Sequence, residues 1–492
     1  MLCEPSNSTL LSLLSLYQKN LDTRLEKECK KLLLTYPKSV VLRNLIGAAY
    51  TRLEKYDEAL RVFQKAIELN PNNADVYNNI GSTFYKKELY SKAISNFQTA
   101  IKIRPNFVEA LSNLGKSYVQ LRRLIDAEAY LQLSLKVNSQ YTPALTSLGN
   151  VKILQGDHEQ GIKLFLRSIQ IDPAYIENYI SLATALSEIG ELEKAKSTYI
   201  KALSIEPENK EAKNNLIELL KKCEIATTEK NIIIKLNNKL IERNQCISIS
   251  MPDEELSAKV IKSLQLIGSL APNLDTEFSQ IYWRNGNDLN CKRHTNIFSE
   301  EGIIPKFCFG CYKIQVDVDT VIDLIRLMHF FYNNTFMGNP TTKCAIEMRP
   351  AITGTYKGFV YCQSLEQAKN IKNSIDQTLT TMIEGGVSKI KRGCTEFGLK
   401  FPEYENLDAN DLMYYPNNWG QIEKRFDALH TYNTKPQTNA SHSSFCLSDY
   451  LIIQKWVDYA KGINDPTSNK FKGMKIRYCD VYKTAKNRRD NR

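Results

Sequence analysis

Apolar and polar residues follow a helical rhythm along the first half of the chain, and that rhythm recurs at a fixed interval. Gly47, Gly81, Gly115 and Gly149 stand 34 residues apart, and Ala183 takes the next place. Ala59, Ala93 and Ala127 keep the same spacing, continued by Gly161 and Ala195. Phe63, Phe97, Leu131, Phe165 and Tyr199 follow, and then Pro71, Pro105, Ser139, Pro173 and Pro207. A small residue inside a helix lets a second helix approach closely. The large residue four places after the second small one packs on it, and proline ends the second helix. The pattern predicts a stack of helix pairs.

These residues resemble the tetratricopeptide repeat family, in which helix–turn–helix units carry small, aromatic and proline positions at set offsets. The segment NIGSTFYKKELYSKAISNFQTAIKIRP at 79–105 is similar to it throughout. The resemblance covers five units over 40–209, with a degenerate leading unit at 1–39 and a closing helix at 210–222. It implies an α-solenoid of the superhelical type, whose first helices line a concave groove. The fourth unit departs from the pattern, with Lys152 for an aromatic and Gly161 for alanine, so a weaker joint is expected there.

The residues two places before the small position are Leu45, Asn79, Asn113, Ser147, Ser181 and Asn215. They resemble the asparagine ladder of superhelical tetratricopeptide proteins, which implies that Asn79, Asn113, Ser147, Ser181 and Asn215 hold the backbone of an extended peptide. A side-chain amide offers one acceptor and two donors, so it can pair with any peptide group. The bland alternative is a tolerated solvent-facing helix residue.

The texture changes after residue 222. Residues 223–300 are expected to form a linker or subdomain, 301–400 an α+β domain and 401–492 an extension with a basic tail. The pattern predicts strand Phe307–Val316, helix Thr320–Tyr332, strands Lys343–Pro350 and Tyr356–Cys362, helix Leu365–Met382 and strand Val387–Glu396. That order, βαββαβ, is that of a ferredoxin-like sandwich. A late helix is expected at Ser448–Gly462.

Several clusters could carry chemistry. Cys291 and His294, followed by Cys308-x-x-Cys311, supply two ligand pairs of the kind a tetrahedral zinc site uses, which makes zinc the candidate cofactor. Inert core thiols are the alternative. Asp317 and Asp319 resemble a metal–nucleotide pair, but Asp319 is placed to cap the next helix. Lys357-Gly-Phe359-Val-Tyr361 partly resembles the aromatic strand of RNA-recognition motifs, but Val360 and Ser364 depart from that pattern; an ordinary strand with one apolar face is the alternative, and nucleic acid is not the expected partner. His329 is expected at a core flank, and His442 with Cys446 could form a thiol–imidazole pair.

Composition bounds the rest. The 492 residues are 42% hydrophobic with a net charge of +11, which excludes a mainly disordered chain. Residues 1–222 carry 30 basic and 24 acidic side chains and the remainder 35 and 30, so charge alone does not nominate nucleic acid as a partner. The tail 472–492, with eight basic and two acidic residues, is expected to be a solvated end. No apolar run reaches the ~18 residues of a membrane span. Ten of twelve cysteines fall after residue 222, which without a secretory signal favours a reducing, cytoplasmic setting. There is no phosphate-binding Gly-rich loop, Gly-x-Ser-x-Gly or His-Glu-x-x-His. The expected function is a protein-interaction scaffold. The rival is an enzyme whose array delivers a protein substrate to a catalytic domain at 260–492.

Overall fold

The computed structural model describes residues 4–223, 231–244, 247–283, 291–334, 336–338, 340–349, 354–407, 413–429 and 445–490. Its compact units divide between Leu182 and Ala183, inside the fifth repeat and well before residue 222.

The first unit is a run of helix pairs: Asn7–Gln18 with Asp22–Thr35, Val40–Arg52 with Tyr56–Leu69, and Ala74–Lys86 with Tyr90–Ile103. Val108–Gln120 with Leu124–Val137 and Thr142–Leu154 with His158–Ile171 follow. The leading unit is therefore a complete pair. A methyl added at Gly81 would stand 2.6 Å from Phe97, at Gly115 2.6 Å from Leu131, and at Gly149 2.5 Å from Phe165. All three large partners are fully buried. The small residue is thus the place where the two helices of a pair nearly touch.

Each pair turns in the same way. Asn20, Glu54, Glu88, Arg122 and Gly156, again 34 residues apart, all adopt positive φ. The next amide reaches back over the helix end, as Lys55 N–H does to Tyr50 O at 2.9 Å and Leu89 N–H to Phe84 O at 2.9 Å. This is the left-handed helix cap that satisfies terminal carbonyls. The first helices Val40–Arg52, Ala74–Lys86, Val108–Gln120 and Thr142–Leu154 also pack on one another in succession, which puts them on the inner side of the stack.

The fourth unit replaces packing with charge. Lys152 Nζ meets Glu128 Oε1 at 2.6 Å, and Gln155 donates to the other oxygen at 2.9 Å. A methyl at Gly161 would stand 2.6 Å from Ile153, so the smaller residue closes the gap. The expected weak joint is closed by these two substitutions.

The second unit is α+β. Strands β1 Gln280–Trp283, β2 Tyr312–Val318, β3 Thr341–Ile346, β4 Tyr356–Cys362 and β5 Val387–Arg392 form one antiparallel sheet in the order β1-β3-β4-β2-β5. Without β1, β4 lies between β2 and β3 while β2 lies between β4 and β5. This is the split βαβ arrangement of the ferredoxin-like sandwich. Helices Val321–Asn333 and Leu365–Met382 pack on the sheet. Gly358 lets the first come close, since a methyl there would stand 2.5 Å from Leu327.

The boundaries differ from expectation at particular residues. Phe307 stands on a 3-10 turn, Lys306–Gly310, after Pro305, so β2 begins at Tyr312. β5 stops at Arg392, and the Gly393 amide then donates to Cys311 O at 2.9 Å. Pro350 lies outside the described residues.

Of the two expectations for 223–300, linker or subdomain, the described residues fit the second. They supply helices Ile232–Asn244, Asp253–Leu270 and Cys291–Glu301 and strand β1. At the centre of the unit runs helix Leu447–Ile463, buried on nearly every side. It packs on helices Lys210–Leu219, Ile232–Asn244, Asp253–Leu270 and Val321–Asn333. Ser448 donates to Glu218, and Lys221 lies 3.9 Å from Asp449. The closing helix is therefore part of this unit.

Nor is the basic C-terminus a solvated end. Helix Cys479–Asp490 packs on Leu447–Ile463, with Ala485 against Gly462 and buried Arg488 donating to Tyr459 Oη at 3.0 Å. Asp458 anchors the approach by accepting from the amides of Arg477 and Tyr478 at 3.0 and 2.9 Å.

Candidate functional site

In the first unit the inner helix face carries the ladder positions. Asn79 Nδ2 donates to Asn44 Oδ1 at 2.9 Å, and Asn113 Nδ2 donates to Asn78 Oδ1 at 3.1 Å. Each bond spans one repeat and fixes an amide, and among the described residues its own Oδ1 and second N–H make no further hydrogen bond. Both side chains are half-buried. Gln120 bridges similarly to Tyr85 Oη at 3.1 Å.

The ladder does not continue unchanged. Ser147 is 2% exposed and its hydroxyl donates to Pro143 O at 2.7 Å, so this rung is turned toward its own helix. Leu45 is buried, and Ser181 is half-buried. In the second unit, Asn215 bonds the Tyr199 hydroxyl, whose proton burial holds tightly, pushing its pKa up to about 12. The rungs that offer a preset amide are Asn79 and Asn113.

In the second unit the cysteines gather differently from expectation. The Cys394 thiol lies within hydrogen-bond reach of Cys291 and Cys308. Its bond to Cys291 lowers its pKa, but the bond to Cys308 and burial outweigh this and push it up to about 12. Burial likewise pushes Cys311 to about 12. His294 is buried with its ring stacked on Phe307, centroids 5.1 Å apart. Of the expected quartet Cys291, His294, Cys308 and Cys311, Cys291 and Cys308 thus have Cys394 as a common neighbour, and His294 lies against Phe307. Among the described residues no group of three or more His, Cys, Asp and Glu is arranged to hold a metal ion.

The remaining candidates also resolve. Asp317 pairs with Lys389 at 2.9 Å and accepts from Gln315. Asp319 is not the helix cap: Thr320 Oγ1 accepts from Asp323 N–H, and Asp465 accepts from Val321 N–H at 2.8 Å. Asp465 also accepts from Tyr356 Oη at 2.5 Å. Cys446 is the buried cap of helix Leu447–Ile463, and His442 and His430 lie outside the described residues. His329 sits half-buried beside Phe445, and burial lowers its pKa. A cavity of about 620 Å³ is lined by Arg243, Lys259, Lys262, Ser263, Gln265 and Ser269.

Sequence reasoning missed Asp465 and Asp458, because lone aspartates in a polar stretch carry no periodic signal. It could not place the left-handed turn residues either, since Glu and Arg do not announce that conformation.

Among the described residues no helix is long and apolar enough to cross a membrane. No curated protein matches this chain. Among solved structures, the thermophilic TPR protein TTC0263 of Thermus thermophilus is 23% identical and aligns over 37% of this chain and 99% of its own, with a TM-score of 0.35. YrrB, described as a TPR protein with an unusual peptide-binding site, is 22% identical over 37% and 95%, with a TM-score of 0.28. MamA is 26% identical over 33% and 95%, also with a TM-score of 0.28. The family model for TPR repeats matches residues 47–88 and 81–121. The tetratricopeptide repeat model matches 108–141, 142–175 and 176–209. Residues 47–209 are tetratricopeptide repeats.

Proposed function

We propose that the repeat array is a protein-interaction scaffold that holds an extended peptide along its inner helix face, in a protein that works in the cytoplasm. The observation that carries this reading is the pair of inter-repeat amide bonds, Asn44–Asn79 and Asn78–Asn113. A free amide on a helix surface must lose rotamer freedom when it binds. Here that ordering has already occurred within the fold, so a peptide group meets donors and acceptors in fixed positions. Ten free cysteines among the described residues suit a reducing compartment.

The test uses peptides selected on the full chain from a random library. The double substitution Asn79→Ala with Asn113→Ala removes two hydrogen bonds worth about 1 kcal/mol each. Affinity should fall tenfold or more, with the variant still folded by circular dichroism at the assay temperature. Unchanged affinity would remove the ladder from the account.

A further inference from the structure

Three thiols that lie far apart in the sequence meet where β5 ends. Cys291 opens helix Cys291–Glu301, Cys308 lies on the 3-10 turn Lys306–Gly310, and Cys394 comes two residues after the last of β5. The Cys394 thiol is hydrogen-bonded to both of the others. Access separates them: Cys291 is exposed, Cys394 half-buried and Cys308 only 1% exposed. Cys394 is therefore the middle member of a row that runs from the surface inward.

The surrounding fold fixes this row. The Gly393 amide donates to Cys311 O at 2.9 Å, and a methyl on Gly393 would stand 2.4 Å from Cys311 Sγ. A bare backbone is what lets the chain leave β5 so close to the turn, and Cys394 comes next. Arg392 donates to Phe309 O at 2.7 Å and to Tyr404 O at 3.0 Å, while Tyr404 Oη donates to Cys308 O at 2.8 Å. Helix Cys291–Glu301 is tied down separately. Arg293 pairs with Asp427 at 2.7 Å and with Glu423 at 3.0 Å, and Glu423 also accepts from Lys306 N–H at 2.8 Å. Backbone bonds and ion pairs thus hold the three sulfurs in contact.

We propose that Cys291 and Cys394 are a hydroperoxide-reactive pair that closes a reversible disulfide. Cys291, as thiolate, attacks one oxygen of hydrogen peroxide. The O–O bond breaks, and the departing hydroxide takes up the proton that Cys291 released, forming water. Cys291 is then a sulfenic acid, oxidised by two electrons. The Cys394 sulfur attacks the Cys291 sulfur, the S–O bond breaks, and the leaving hydroxide carries off the Cys394 proton as a second water. One peroxide becomes two waters, and two thiols become one disulfide. Cys308 has the same contact with Cys394 but is closed to peroxide by burial, so the bridge forms on the exposed side. Exchange with a small thiol reopens it, as suits a transient bridge in a reducing compartment.

The test treats the reduced full chain with hydrogen peroxide at neutral pH, blocks the remaining thiols with N-ethylmaleimide and maps the digest by mass spectrometry. The expected product is a peptide pair joined through Cys291 and Cys394 that dithiothreitol separates. Cys479 is the internal comparison, because it is exposed and its thiol bonds no other group among the described residues. Under the same treatment it should pass on to the sulfinic acid, which dithiothreitol does not reverse. Cys394→Ser should send Cys291 the same way, whereas Cys291→Ser should leave Cys394 reduced. The parent map decides the matter should Cys394→Ser not fold. Cys291 recovered from the parent as sulfinic acid, or still reduced once Cys479 is oxidised, overturns the proposal. So does a bridge from Cys394 to Cys308 with Cys291 reduced. About one zinc ion per purified chain, with the three thiols shielded from peroxide, overturns it as well.

Discussion

At the scale of single residues, the repeat imposes two opposite demands. The inner position of each pair must be small because a large partner lies over it. Gly81 shows the limit, with a methyl 2.6 Å from Phe97. Gly81→Ala gains about 1 kcal/mol of helix propensity but must displace a fully buried ring, at a cost of about 1–3 kcal/mol. We expect a net loss, read as a lower denaturation midpoint. The turn position makes the reverse demand. Glu88 holds φ at 60° where a side chain costs about 1–2 kcal/mol, so Glu88→Gly should raise stability by about 0.5–1 kcal/mol after the extra entropy of an unfolded glycine. Gly156→Ala at the equivalent place should lower it. Denaturant unfolding of the variants checks both signs.

The thiols divide by the same local logic. Cys308, Cys311 and Cys344 are buried, whereas Cys291 and Cys479 are exposed. Thiolate is the reactive form, and burial keeps Cys311 protonated at neutral pH. Alkylation of the folded protein followed by peptide mapping should mark Cys291 and Cys479 well before those three. Rapid labelling of Cys311 would contradict the packing described.

At the scale of elements, most of the second sheet was legible because its strands and helices follow periods of two and 3.6 with clear stops. Tyr356–Cys362 and Leu365–Met382 lie where the pattern predicts them. The failures have physical causes. Phe307–Gly310 has strand-like composition, but the backbone after Pro305 curls into a 3-10 turn. β1 is only four residues long and depends on pairing with β3, a non-local contact that periodicity does not carry. The candidate site was half legible. Asn79 and Asn113 follow from the repeat register, whereas their bonds to Asn44 and Asn78 require two repeats to meet in space.

Helix Val321–Asn333 also makes a pH prediction. His329 on that helix is held below its ordinary value of about 6.5 by burial. The unfolded chain then binds the proton more readily than the folded one. This group's share of stability is present above about pH 6.5 and declines as pH falls through that value toward the depressed folded-state pKa. Melting curves between about pH 7.5 and 5.5 should show a steeper decline for the parent than for His329→Leu. Parallel profiles would show that His329 is solvated in both states.

At the scale of the whole molecule, the two units are held together in different ways. The array derives its stability from nearest-neighbour contacts, as repeat stacks do. The second unit instead depends on long-range anchors to Leu447–Ile463 and Asp465. The central claim concerns the array: it recognises peptide backbone through preset amides. The most direct measurement is the affinity of the full chain and of its Asn79→Ala, Asn113→Ala variant for a selected peptide N-methylated at each amide in turn. The account predicts one or two positions where N-methylation weakens binding to the parent fivefold or more and leaves binding to the variant unchanged, the coupling expected of groups in contact. Equal sensitivity of parent and variant at every position would contradict it.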